Sequence, residues 1–366
     1  MRIVLIHLGA SNSEYLWANV RYLSRLAPNL MIDVITSKEN EEQIKAFSNH
    51  KVNHFRYTAS ATTEKLFDSL EIDSNYRKGF WRYSLERLFA LTEHHSHFPG
   101  ESLLHVESDV LLLQSFPFAS FSSVEKIAWS AFENQRDVAS IIYLPNNHQS
   151  IYLQSRLLDL LGDNLAATDM HLLSLVSKNN DQHFLSLPIA PSFNSVAFSP
   201  ESNISEFDRV RCSQYTENFE GVFDAAAIGI WLTGTHPVNA FGVSKRYDTN
   251  LIHETNSYID PSRIDFQISL ENGLFWIEGD DLIKVHTLHI HSKNLDFFSS
   301  ESLKVLGKCV ADSRKGKIVR NFSLTVLLSL INDNWRRRTL LRYLSWLPGI
   351  RRIKPLANKF REELGF

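Results

Sequence analysis

Short apolar runs alternating with amphipathic stretches fill the first half of this chain and restrict its fold more than any other feature. "RIVLIHL" (2–8), "MIDVITS" (31–37) and "KVNHFRY" (51–57) have the length and apolar content of strands. Between the first two, Tyr15, Trp17, Val20, Leu23 and Leu26 recur at helical spacing until Pro28 stops the pattern. After the third, "GFWRYSLERLFALTEHH" (79–95) carries Trp81, Leu85, Leu88, Phe89 and Thr92 at the same period. "SLLHV" then reads as another strand. Strands that alternate with helices at such short intervals are parallel neighbours joined by crossovers, which predicts a mostly parallel sheet covered on both faces. In such sheets ligands sit beyond the carboxyl ends of the strands.

The pattern continues through "KIAWSAF" and "ASIIYLP" as strands, and "HQSIYLQSRLLDLLG" and "TDMHLLSLVSK" as helices, the second capped by Thr168. "GVFDAAAIGIWLTG" (221–234) reads as a helix of small residues ending at Gly234, and 263–294 as short strands with a turn at Asn272-Gly273. From about Ser299 the chain becomes helical, then basic. At 366 residues, 43% of them hydrophobic, it can bury a sizeable core, and a boundary near residue 300 is expected.

The formal net charge of −3 gives no global basic field and argues against a dedicated nucleic-acid binder. The charge is uneven: 335–366 carries +7, leaving about −10 for the rest. Cys212 and Cys309 are the only cysteines, too few for a disulfide framework or a cysteine zinc site. "MRIVLIHLG" is too short for a secretory signal, and no apolar run reaches the ~18 to 20 residues of a membrane span. A soluble or peripheral protein in a reducing, cytoplasmic compartment is expected.

Chemistry concentrates in "SLLHVESDVLLLQSF" (102–116), an apolar run interrupted once, by Glu107-Ser108-Asp109. Read as one strand, its period of two puts both carboxylates on one face, where they repel unless a cation or donors compensate. The acidic-x-acidic spacing suits a hard divalent cation, and Mg²⁺ or Mn²⁺ typically retains waters and substrate phosphates in its shell. Taken alone, the triplet reads more readily as an exposed acidic turn; its place at the end of an apolar strand, in a run that resumes at Val110, shifts the balance toward the cation. In "LHIHSK", an extended chain puts His289 and His291 on one face with Lys293 next along it. Fifteen histidines make such a pair common by chance. Paired with the triplet, a metal shared by Glu107, Asp109, His289 and His291 explains both segments.

This arrangement resembles the GT-A class of nucleotide-sugar glycosyltransferases over residues 1–297. The resemblance implies an α/β fold, a GT-A-like, Rossmann-related mixed sheet flanked by helices; beyond it, 298–366 reads as a helical, basic C-terminal extension. It also implies Mn²⁺ or Mg²⁺ on the diphosphate of a nucleotide-sugar donor, with a UDP-sugar favoured. The triplet is E-S-D where the family has D-x-D, so Asp109 is the firmer direct ligand and Glu107 acts through water or the ribose. Of the two histidines His291 is preferred, because retaining members similar to galactosyltransferases place a His, a small residue and a Lys here; Lys293 would then meet the phosphate. Asp169 in "ATDMHLL" would contact the transferred sugar, or be a plain helix N-terminal acid. Asp224 in "FDAAAIG" would bind sugar hydroxyls, or its alanines serve only tight packing. His7 and Gly9 in "HLGAS" would dock the base and ribose, Gly9 allowing a tight turn. No G-x-G-x-x-G is present to support a classical dinucleotide fold.

Arg82 and Arg87 reach a phosphate or pair with Glu86 and Glu93, and surface pairing is the simpler expectation. The implied activity is sugar transfer to a hydroxyl of a glycan or lipid-linked glycan acceptor, with retention favoured. A metallohydrolase and a non-catalytic glycan-binding protein are the alternatives. Over 335–361, arginines mixed with Trp335, Leu340, Tyr343 and Trp346 fit either peripheral contact with the inner face of a membrane or a packed cap with a basic face.

Overall fold

The computed structural model describes residues 1–9, 14–37, 51–71, 79–163, 167–178, 182–234, 257–292 and 294–314. Residues 1–319 group as one compact unit and 320–366 as another. The second unit, with the basic stretch 335–361, and Lys293 lie outside the described residues.

In chain order the first unit begins β1 (Arg2–His7), α1 (Glu14–Leu26), β2 (Met31–Thr36), β3 (Val52–Arg56), α2 (Ala61–Asp68), α3 (Phe80–His95), β4 (Leu103–Val106) and β5 (Val110–Leu112). It continues with β6 (Ile127–Glu133), β7 (Arg136–Leu144), α4 (Asn147–Asp163), α5 (Asp169–Lys178), β8 (Phe184–Leu187), α6 (Glu206–Ser213), α7 (Thr216–Phe219), β9 (Gly221–Val222) and α8 (Ala227–Thr233). The last elements are β10 (Asp265–Ser269), β11 (Gly273–Glu278), β12 (Asp281–Val285), β13 (Thr287–His289) and α9 (Ser302–Arg314). No helix among the described residues is long and apolar enough to cross a membrane.

Seven strands form the main sheet in the order β3-β2-β1-β4-β7-β6-β8. Every strand is parallel to β1 except β7, which runs antiparallel to both its neighbours. This is the mixed α/β sheet flanked by helices that the alternation predicts. All six β1 residues are buried, because both faces of the sheet are covered. The period of two divides them: Ile3 and Leu5 enter the core that includes Leu16, Val20 and Leu23 of α1, whereas Val4 and Ile6 enter the core with Leu85, Leu88 and Phe89 of α3 and Leu153 of α4. Strand order reverses between β1 and β4, so their carboxyl ends flank the crevice where such sheets bind ligands.

The strand read in "SLLHV" is β4, which ends at Val106 with the acidic triplet beyond it: Glu107–Asp109 form a turn, and β5 leaves the main sheet to pair antiparallel with β13. The Glu107 N–H makes one last bond across to β7, to Ser140 O at 3.0 Å, and the Val110 N–H then donates to Glu107 O at 3.0 Å, which closes the turn. One expectation needs correction: 221–234 is not one helix. Gly221 and Val222 form β9 beside β12, and the helix starts only at Ala227. The turn at Asn272-Gly273 is present, with Ser269 paired to Gly273, whose φ of 97° suits glycine.

Candidate functional site

The acidic turn is aimed by the two sheets it joins. β4 fixes its entry; β5, paired to β13 with Val110 opposite His289, fixes its exit. The Ile290 N–H donates to Asp109 O at 2.7 Å, which ties the turn directly to the late histidine segment. As a result Nε2 of His289 lies 3.2 Å from Asp109 Oδ2 and 3.6 Å from Glu107 Oε2, across 180 residues of sequence. One ligand atom from each of the three falls within 4.8 Å of the others. Asp109 and His289 are buried and Glu107 is half-buried.

Two carboxylates and an imidazole form a donor set that suits a divalent cation, and the acid-rich balance favours a hard one. The residues therefore fit a metal, with Glu107, Asp109 and His289 as its holders. His291 stands beside His289, ring centroids 4.3 Å apart, while His289 is the histidine that meets the carboxylates. Nδ1 of His289 is buried and has no hydrogen-bond partner among the described residues.

Arg87 of α3 is not the surface residue that its spacing suggested. It reaches past Glu86 to bond Glu107 Oε1 through one guanidinium nitrogen and Asp169 Oδ2 at 3.2 Å through the other. Arg82 does pair with Glu86, at 2.9 Å, and with Asp68, while Glu93 accepts from Thr63. Burial opposes ionisation of Glu107, yet Arg87 and then His289 outweigh it and hold this carboxyl well below the usual range. For Asp169 burial wins over Arg87, and its carboxyl is pushed up. Two carboxyl groups thus share one guanidinium, and Asp109 meets His289 beside them. Acids gathered in a half-closed site are what a bound cation would neutralise.

Asp169 is the first residue of α5, behind Thr168, whose hydroxyl accepts from His171 N at 3.4 Å as an N-cap. Asp224 is committed to the backbone. Its Oδ1 accepts from Ala226 N and Ile228 N, and its Oδ2 from Gly229 N at 2.8 Å and His289 N at 3.0 Å. Both oxygens are occupied and the residue is buried, so the carboxylate caps α8 and clasps β13 rather than presenting itself to sugar hydroxyls. Gly229 makes the clasp feasible: a Cβ there would stand 2.2 Å from His289 O. At the end of β1, His7 is buried with its ring edge-on to Tyr15 at 6.1 Å. Gly9 takes a φ of 85°, and a Cβ would press against the Tyr83 ring at 2.7 Å.

Three residues of this neighbourhood carry no motif. The Asn19 amide donates to the carbonyls of Glu107, Ser108 and Val110, and the Tyr22 hydroxyl to Leu112 O at 2.7 Å. Tyr15 lies against Ser108, and burial raises its phenol pKa. The one available signal was a polar residue on the apolar stripe of α1: Asn19 is fully buried between Leu16 and Leu23.

No family model and no curated protein sequence matches the chain. Among solved structures, a galactosyltransferase LgtC in complex with donor and acceptor sugar analogs is 12% identical, with a TM-score of 0.37 over 72% of this chain and 88% of that one. Mouse xyloside xylosyltransferase 1 is 14% identical, with a TM-score of 0.34 over 51% and 84%. A cytidylyltransferase from Leptospira borgpetersenii is 10% identical, with a TM-score of 0.32 over 51% and 75%. Likeness at this level is too slight to establish shared chemistry.

Proposed function

We propose that this protein is a metal-dependent glycosyltransferase that moves a sugar from a nucleotide diphosphate sugar, a UDP-sugar in the first instance, to a hydroxyl of a glycan or glycolipid. The observation that carries the reading is the convergence of Glu107, Asp109 and His289 beyond the carboxyl end of β4, at the reversal of strand order. Glu107, Asp109 and His289 would hold Mn²⁺ or Mg²⁺, whose contribution when bound is to offset charge on the departing diphosphate. The chain's own side chains do the rest. Arg87 fixes Glu107 and Asp169 relative to each other, which keeps the first toward the cation site and the second within reach of a sugar bound beside it. Asp224 and Gly229 hold the backbone of His289 against the turn. Retention of anomeric configuration is favoured by the His-Ser-Lys resemblance alone.

The test is a thermal-shift panel of UDP, GDP, CMP and ADP, each with and without Mn²⁺, on wild type and Asp109→Asn. Ligands that bind the native state stabilise it by mass action, by roughly 2.7 kcal/mol at a hundred times Kd, and so raise its melting temperature. A shift that needs both Mn²⁺ and one nucleotide, and is absent in Asp109→Asn, supports the transferase and names its donor. Stabilisation by metal alone, indifferent to every nucleotide, would overturn it in favour of a metallohydrolase.

A further inference from the structure

We propose that Asn19 is a positioning residue for the cation site: it sets the direction of the acidic turn and so the convergence of Glu107 and Asp109 on His289. The inference rests on the reading of that cluster as a metal site and adds a residue that contributes no ligand to it.

Three carbonyl oxygens from one short turn converge on a single nitrogen. Asn19 Nδ2 lies 2.9 Å from Val110 O, 3.2 Å from Ser108 O and 3.4 Å from Glu107 O. Oxygens gathered this closely repel unless a donor stands among them. With the carbonyls of the turn engaged by α1 on one side, the side chains of Glu107 and Asp109 are left to meet His289. The amide thus decides which way the turn faces.

The residue type fits that task. Asparagine is a poor choice inside a helix and a rarer one when fully buried, yet Asn19 is 0% exposed. Its Oδ1 finds no hydrogen-bond partner among the described residues, so only the N–H half of the amide is used. A lysine at this place would satisfy the carbonyls equally well, but its charge would offset the acidity on which cation binding depends. A neutral donor secures the turn and leaves the carboxylates their full charge.

Helix α1 supplies an internal control. Tyr22, one turn on, bonds Leu112 O at 2.7 Å and so ties α1 to β5 beyond the turn, without touching residues 107–110. Loss of either tie loosens the helix; only loss of the first frees the turn.

The experiment is a titration of the full chain with Mn²⁺, following free Mn²⁺ by electron paramagnetic resonance, alongside thermal melts. Asn19→Leu is expected to weaken Mn²⁺ binding about 10- to 100-fold, the usual effect of losing an outer-shell contact. Asn19→Asp, nearly isosteric, is expected to weaken it further by setting an acid against three carbonyls. Tyr22→Phe should lower the melting temperature while holding Mn²⁺ affinity within about twofold of wild type. Equal affinity in wild type and Asn19→Leu, or equal loss in Asn19→Leu and Tyr22→Phe, would overturn the inference. Unchanged Mn²⁺ binding in Asp109→Asn would instead remove the metal site on which it rests.

Discussion

Two clusters of charge lie at opposite ends of the same parallel strands, and one helix serves both. At the amino ends Asp33 is fully buried, with Arg2 on both its oxygens at 2.7 and 2.8 Å, His94 at 2.9 Å and Asn53 at 2.9 Å. Arg2 also meets Glu101 and covers the Phe98 ring at 3.9 Å. At the carboxyl ends Glu107 and Asp169 share Arg87, while Glu107 and Asp109 meet His289. Arg87 and His94 belong to one helix, two turns apart, about 10 Å along its axis. The amino-end cluster is closed: every Asp33 lone pair has a donor, and it has no use for a ligand. The carboxyl-end cluster instead brings ligand atoms of Glu107, Asp109 and His289 within 4.8 Å of one another, a set that could hold a metal ion. The difference separates charge used wholly by the fold from charge grouped as ligands would be.

That contrast can be broken most directly at Asp33. Asp33→Ala strands Arg2 in the interior, and urea denaturation is expected to show a loss of roughly 3–5 kcal/mol, with Mn²⁺ affinity per folded molecule intact. Gly229→Ala comes next. The new methyl meets the His289 carbonyl and the Asp224 carboxylate, and a cost of about 3 kcal/mol, the upper end for overpacking, should accompany a loss of Mn²⁺ affinity that Asp33→Ala does not share. A mutant as stable and as competent as wild type would show that the clasp is loose.

Acid sharpens the same comparison. Burial raises the Asp33 pKa, but His94, Arg2 and Asn53 overcome it and bring it from 3.8 to about 2. A carboxyl depressed in the folded state stabilises above its unfolded pKa and loses that contribution as pH falls through the folded value. The advantage of wild type over Asp33→Asn should therefore shrink by about 2 kcal/mol between pH ~4 and pH ~2, read from urea midpoints. The smallest effect belongs to Asp109→Asn without metal. Removing one of three crowded acids should leave the melting temperature unchanged or slightly higher, within about 0.5 kcal/mol. A large loss would mean that Asp109 holds the fold and would erase the contrast.

Most of the sheet was legible in the sequence because its strands are buried on both faces and its helices carry clean apolar stripes, as in β1 and α1. The acidic triplet and the late histidines were legible because charge inside an apolar run is conspicuous. What could not be read was direction. That β4 ends at the triplet could be read, but nothing local says that β5, resuming at Val110, joins another sheet. Arg87 sits one residue from Glu86 and looks like its surface partner; that it reaches Glu107 and Asp169 follows from how α3 and α5 lie against β4. Asp224 resembled a ligand-binding acid, and only the approach of β13 shows both its oxygens taken by amides. Asn19 showed only as a polar residue on an apolar stripe; its partners, main-chain oxygens about 90 residues away, could not be read.

The pairing of β5 with β13 also imposes a timetable. His289 follows Asp109 by 180 residues, which at translation speeds of roughly 5–20 residues per second places its synthesis on the order of ten to forty seconds later. Until then the nascent sheet can assemble through β4 with its acidic turn lacking the strand that aims it. Late closure of so distant a contact also carries a large loop entropy. The site is thus a seal on the finished domain: a chain that has not yet threaded β13 into place has the crevice but lacks the means to hold a cation in it.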